Sequence, residues 1–192
     1  MRRQACFVAL VLLFAAGAAA RPEQEDHLSL VPWKVLEPGE DVEAPLVLFW
    51  IPSSSDELRR SPLLTSDELT LYASRCVAMR VIRLNDGARL AKLNVAAQLP
   101  FAVLAEKDGR VLSAIENDRG ALNVFDIEDV VREALDARSE DAEMKLDEAQ
   151  KLSEKGDVDA ALALYREVWE ERCVCPRQGR EAQKALKKLE RR

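Results

Sequence analysis

Histidine is nearly absent from this chain: His27 is the only one in 192 residues. One histidine cannot make an HExxH helix, and the sequence shows neither a Ser/His/Asp constellation nor a glycine-rich phosphate loop. Lone His27 lies in a polar N-terminal stretch, and the sequence has no CxxC-type pair, so no metal site is expected. Basic charge is also in deficit. The net charge is −6, and no Lys/Arg block reads as a phosphate-tracking stripe, so nucleic acid is not expected as a partner.

Long apolar runs are scarce as well, with one at the start and no second. Arg2 and Arg3 precede CFVALVLLFAAGA, and Ala18-Ala19-Ala20 satisfies the small-x-small rule, which reads as a signal peptide over residues 1–20 with Arg21 as the expected mature N-terminus. The run is short for a membrane span. No cysteine follows the small residues, so a lipoprotein anchor is not indicated. Loss of Arg2 and Arg3 takes the net charge from −6 to −8. The expectation is an exported protein, periplasmic or extracellular, with no membrane span after cleavage.

Export permits disulfides. Of the four cysteines, Cys6 departs with the signal. Cys76, Cys173 and Cys175 remain, an odd number, so complete pairing within one chain is impossible.

Residues 21–44 form an N-terminal segment that contains a candidate first strand, LVPWKVL (30–36), before the Pro38-Gly39 turn. PLVLFWI (45–51) is an uninterrupted apolar run of strand length, as expected for a strand covered on both faces. CVAMRVIRL (76–84) is a second such run. FAVLAEKDGRVLSAI (101–115) reads as a hairpin about Lys107-Asp108-Gly109. Helical segments lie between them: SDELRR, TSDELTLYAS, ARLAKLNV, and DIEDVVREALDA with Asp126 as its cap. The fold class is α/β.

Past Arg138 the pattern is wholly helical. Ala142, Leu146, Ala149 and Leu152 share one stripe that ends at Gly156, a suitable C-cap. Val158, Ala161, Leu162, Tyr165, Val168 and Trp169 share another. CVCP interrupts, and REAQKALKKL gives a last amphipathic helix with a strongly basic outer side.

Residues 45 to about 136 resemble the thioredoxin superfamily. LVLFW is similar to the family's central strand leading into a redox motif, Leu99-Pro100 followed by FAVLAEKDGRVL to its cis-proline strand and hairpin, and Asp126–Ala137 to its last helix. The resemblance implies a domain over 45–138 whose active site needs Cys-x-x-Cys at a helix N-terminus, where the dipole favours a thiolate. Here Ser54 and Glu57 occupy those two positions. Leu48 stands where the family has a buried acid, and Ser53 where an aromatic usually precedes the first cysteine.

The residues that replace the redox motif have their own local meaning. Ser54-x-x-Glu57 is a capping box, repeated at Thr65-x-x-Glu68. The alternative for Ser54 is a residual catalytic or anion-binding role. At Pro100 the resemblance implies a peptide-binding groove through Leu99 and Pro100; the plainer reading is a turn before a strand.

The tail, residues 139–192, contains EAQKLSEKGDVDAALALYREV, which resembles one tetratricopeptide repeat at Ala149, Leu152, Gly156-Asp157, Ala161 and Tyr165. Lys145 and Glu148 depart from the pattern. So short an array cannot bury a continuous core alone. It must dock on the α/β domain, pair with another copy, or receive a partner. Cys173-Val-Cys175 is a dithiol, half of a metal site, or the source of a bond to Cys76; a structural disulfide within or between chains fits an exported protein.

The functional expectation is a non-catalytic, redox-inactive, thioredoxin-like exported protein acting through protein contacts with a client or partner, chaperone- or adaptor-like, with self-association through the tail as a further route and no cofactor. The alternative is a thiol-disulfide redox protein using Cys173 and Cys175 with Cys76.

Overall fold

The computed structural model describes residues 29–94 and 98–190. The expected signal peptide, Cys6 and His27 lie outside the described residues. A five-stranded sheet in the order β1-β3-β2-β4-β5 forms the centre of the α/β part, built from β1 (Lys34–Val35), β2 (Leu46–Ile51), β3 (Val77–Val81), β4 (Phe101–Glu106) and β5 (Val111–Glu116). β1, β3 and β2 run parallel, whereas β4 is antiparallel to β2 and β5 to β4.

All six residues of β2 are buried. Alternation along the strand divides them between two cores. Leu46, Leu48 and Trp50 join the larger, and Val47, Phe49 and Ile51 the smaller. β4 divides in the same way, with Ala102 and Leu104 on one side and Phe101, Val103 and Ala105 on the other. An apolar run without alternating polar residues is what two covered faces demand. Each such large side chain contributes about 1.5–3 kcal/mol on burial.

The first strand is shorter than the 30–36 run suggests. Leu30 and Val31 donate their N–H groups to Leu64 O, and Trp33 N–H folds back on Val31 O, so only Lys34 and Val35 remain to pair with β3. At the hairpin, Glu106 N–H bonds Arg110 O and Gly109 N–H bonds Glu106 O. Gly109 takes φ 87°, a left-handed conformation suited to glycine.

Flanking helices are α1 (Glu57–Arg60), α2 (Asp67–Ser74), α3 (Gly87–Lys92) and α4 (Val124–Glu154). Two caps differ from the sequence expectation. Ser66, not Thr65, caps α2: its Oγ accepts Leu69 N–H at 3.0 Å and donates to Glu128 Oε1 at 2.6 Å. Asn123, not Asp126, caps α4 by accepting Phe125 N–H at 3.1 Å, because the helix begins a turn earlier and Asp126 falls within it.

α4 is one helix of 31 residues, about 46 Å long at 1.5 Å per residue. The anticipated boundary at 138/139 falls inside it. Ala137, Arg138 and Ser139 contain no breaker, and the helix passes from the sheet to the tail without a break. Ile127, Val131 and Leu135 face the sheet core, and Ala142 and Ala149 continue the same buried stripe among the later helices. The helix ends at Lys155, and Gly156 at φ 87° lets Asp157 N–H reach back to Leu152 O at 3.0 Å.

α5 (Val158–Glu170), a 3-10 turn (Glu171–Cys173) and α6 (Pro176–Leu189) complete the chain. Ala161, Tyr165 and Val168 of α5 are buried, while Val158 is 38% exposed and falls off that face. Val174, Ala182, Leu186 and Leu189 join the core that contains Leu104 and Val131. The helical region is therefore packed on its own α/β part.

Candidate functional site

β2 delivers the chain to the Pro52–Asp56 corner that the sequence singles out. Ser54 Oγ accepts Glu57 N–H at 3.2 Å, the first half of the expected capping box. The return bond is displaced by one residue. Glu57 Oε2 accepts Ser53 N–H at 2.7 Å and Ser53 Oγ–H at 2.8 Å, rather than the N–H of Ser54. Its other oxygen accepts Trp50 Nε1–H at 3.2 Å. Trp50 is fully buried, so this carboxylate supplies the partner its indole N–H needs.

The chemistry available at this corner is narrow. Ser54 is exposed and its Oγ is engaged as an acceptor. The Ser53 hydroxyl donates its hydrogen bond to Glu57 Oε2. Asp56 pairs with Arg59 at 2.6 Å, and that hydrogen bond, reinforced by the charges of Arg59 and Arg60, holds its carboxyl below the usual range. No thiol stands here. α1, with four residues, is little more than one capped turn.

Leu99 and Pro100 belong to the same end of the molecule. Ile51 pairs with Phe101, which sets the residues before Phe101 beside the Pro52–Asp56 corner. The Leu99–Pro100 peptide bond is cis, Pro100 is buried, and its carbonyl accepts Asn117 Nδ2–H at 3.2 Å. The structure thus brings Ser54, Glu57, Leu99 and Pro100 to one end of the β2–β4 pair.

The remaining cysteines lie at the other. Val77 pairs with Leu46 at the opposite end of β2, about 17 Å away along a strand rising ~3.3 Å per residue. Cys76 precedes it at φ 60° and is disulfide-bonded to Cys173, with Cα atoms 5.8 Å apart. Beside the bond, Arg75 donates two hydrogen bonds to Val174 O, at 2.9 and 3.2 Å. Cys175 is a free, buried thiol. Burial pushes its pKa up, against the lowering effect of Ser139 Oγ–H, which donates to its sulfur at 3.8 Å. The CVC segment thus supplies one half of a long-range bridge and one sequestered thiol.

A cavity of about 600 Å³ between β4, β5, α4 and α5 was not foreseen from sequence. Leu104, Leu112, Val130, Ala134 and Val168 form its apolar lining. Arg138 crosses its rim, donating to Glu106 Oε1 at 2.7 Å and Glu171 Oε2 at 2.9 Å. Lys145 does the same between Asp141 at 3.1 Å and Glu167 at 3.4 Å. The cavity's lining residues come from β4, the hairpin turn, β5, α4, α5 and the 3-10 turn, and no local motif joins them. Among the described residues there is no group of His, Cys, Asp and Glu able to hold a metal ion, and no helix is long and apolar enough to cross a membrane. No protein-family model matches the chain, and no curated protein does.

Proposed function

We propose that this is an exported, redox-inactive protein of thioredoxin-like fold, carrying a tetratricopeptide-like helical tail, that acts by binding other proteins in a chaperone- or adaptor-like way. One observation carries the reading. The strand-to-helix corner where a redox pair would stand holds Ser54 and Glu57, locked to each other and to Trp50 by hydrogen bonds. Among the described residues the other cysteines do not compensate. Cys76 and Cys173 are bonded to each other and Cys175 is buried, all at the far end of β2.

Supporting observations are the strand order β1-β3-β2-β4-β5 and the helical pair α4–α5 closing at Gly156-Asp157. The Cys76–Cys173 bond favours an oxidising compartment, consistent with export. The buried Cys175, its thiol pushed toward the neutral form, weighs against a relay among the cysteines, since the thiolate is the attacking species. Contact with a partner is assigned to the Leu99–Pro100 end.

Insulin-disulfide reduction by the purified mature protein is the test. The expected rate is that of buffer with the same reductant, and turnover well above it overturns the reading. Capture of envelope proteins by the wild type, compared with a Leu99→Asp variant, tests the binding half: partners retained equally by both forms remove that end from consideration.

A further inference from the structure

We propose that two copies of this chain associate through oppositely charged stripes on α6 and α4. The inference goes beyond the redox reading and does not depend on it. Arg177, Arg180, Lys184, Lys187 and Lys188 are all exposed on α6. At about 100° per residue they fall within an arc of about 100°. On α4, the exposed residues Asp129, Glu133, Asp136, Glu140, Glu143 and Asp147 fall within about 80° on the same arithmetic. Lengths are about 17 Å for the basic stripe and about 27 Å for the acidic one.

Few of these charges are satisfied within the molecule. Arg177 pairs with Glu143 and Glu181, both at 3.5 Å, and Asp129 pairs with Arg132 at 2.7 Å. Arg180, Lys184, Lys187 and Lys188 on one side, and Glu133, Asp136, Glu140 and Asp147 on the other, have no ion pair among the described residues. Like charges three and four residues apart repel, so each stripe gains from an opposite surface. The chain itself carries that surface.

The stripes also adjoin. Gln178 Nε2–H donates to Glu143 Oε1 at 3.1 Å, and with the Arg177–Glu143 pair this sets the start of α6 against the middle of α4. A two-fold axis near this junction lays the α6 of each copy over the α4 of the other and makes both contacts at once, the self-complementary geometry of an isologous dimer. The same adjacency disfavours an anionic bilayer or nucleic acid. An acidic stripe beside the basic one, within a Debye length of ~8–10 Å, would meet the same negative surface and be repelled.

Sedimentation of the full mature chain at roughly 100 µM and about 50 mM salt should give a dimer whose dissociation constant rises at least about tenfold at ~500 mM salt. A Lys184→Glu/Lys187→Glu variant and a Glu133→Lys/Glu140→Lys variant should each be monomeric alone and form a heterodimer when mixed in equal amounts, which also shows that both are folded. A monomeric wild type, a dimer indifferent to salt or to the reversals, or a mixture that stays monomeric overturns the proposal. Co-sedimentation of a monomeric wild type with phosphatidylglycerol vesicles, lost on the α6 reversal, would also overturn it and give the basic stripe to lipid.

Discussion

Cys76 and Cys173, 97 residues apart in sequence, are bonded to each other with their Cα atoms 5.8 Å apart. The bond ties the foot of β3 to the turn between α5 and α6, so it joins the α/β part to the tail. A crosslink over so long a loop removes many conformations from the unfolded chain. The Cys76→Ser/Cys173→Ser variant should therefore lose about 2–4 kcal/mol of stability. Urea unfolding of the two proteins measures it, and an equal midpoint would contradict the assigned pairing.

Gly179 of α6 lies against the 3-10 turn before it. A Cβ at this position would stand 2.5 Å from Arg172 Cβ and 2.7 Å from its Cα, closer than backbone can yield without moving. Gly179→Ala should thus destabilise by about 1–3 kcal/mol through overpacking, although alanine is the better helix former. Thermal unfolding reads the sign directly. Stabilisation would mean that α6 and the turn are farther apart than described.

Stability should fall on the alkaline side, and Cys175 contributes to the slope. Burial raises its thiol pKa in the folded chain. The folded protein therefore keeps a proton that the unfolded chain has lost. The contribution is complete below the unfolded pKa and is lost as pH rises past roughly 8.5 and through the folded value. Tyr72 and Tyr165, raised by burial, and Lys145, raised chiefly by its hydrogen bond to Asp141, act with the same sign at higher pH. Cys175→Ala should flatten the first part of the decline in unfolding free energy. Iodoacetamide should label this thiol only after denaturation; rapid labelling of the native protein would contradict its burial.

Glu57→Gln keeps the size of the side chain but replaces one acceptor oxygen with an NH₂ donor. Trp50 Nε1–H or the Ser53 pair then loses its acceptor. The expected cost is about 1–3 kcal/mol, the range for a buried polar group left unpaired or a charged hydrogen bond lost. Tryptophan fluorescence and urea unfolding should move together, since Trp33 packs edge-on against Trp50 at 5.3 Å between ring centroids.

What the sequence discloses follows from where the information is local. The apolar runs at 45–51 and 101–106 name their own strands, because two covered faces leave no room for polar alternation. Gly156 announces the end of α4 because a left-handed residue is required there. The absence of any Gly or Pro about Arg138 is local too, yet the order of elements, taken as an α/β unit followed by a helical tail, placed a division inside what is one helix. Ser66 and Thr65 are both competent caps, and only the bond to Glu128, 62 residues away, shows which is used. The choice among Cys76, Cys173 and Cys175 depends on how β3 meets the α5–α6 turn, and the cavity rim depends on how Arg138 of α4 meets Glu106 of β4 and Glu171 of the 3-10 turn. The basic stripe of α6 forms no block in sequence because helical spacing distributes it over three turns.

The unbroken α4 leaves no interdomain linker at the point where the resemblance would divide the chain. Roughly half its length lies against the sheet core, through Ile127, Val131 and Leu135, and half among the tail helices, through Ala142 and Ala149. Cutting the gene at residue 138 would leave the sheet with a helix end facing water and the tail without its first pillar. Neither fragment should fold as the parent does.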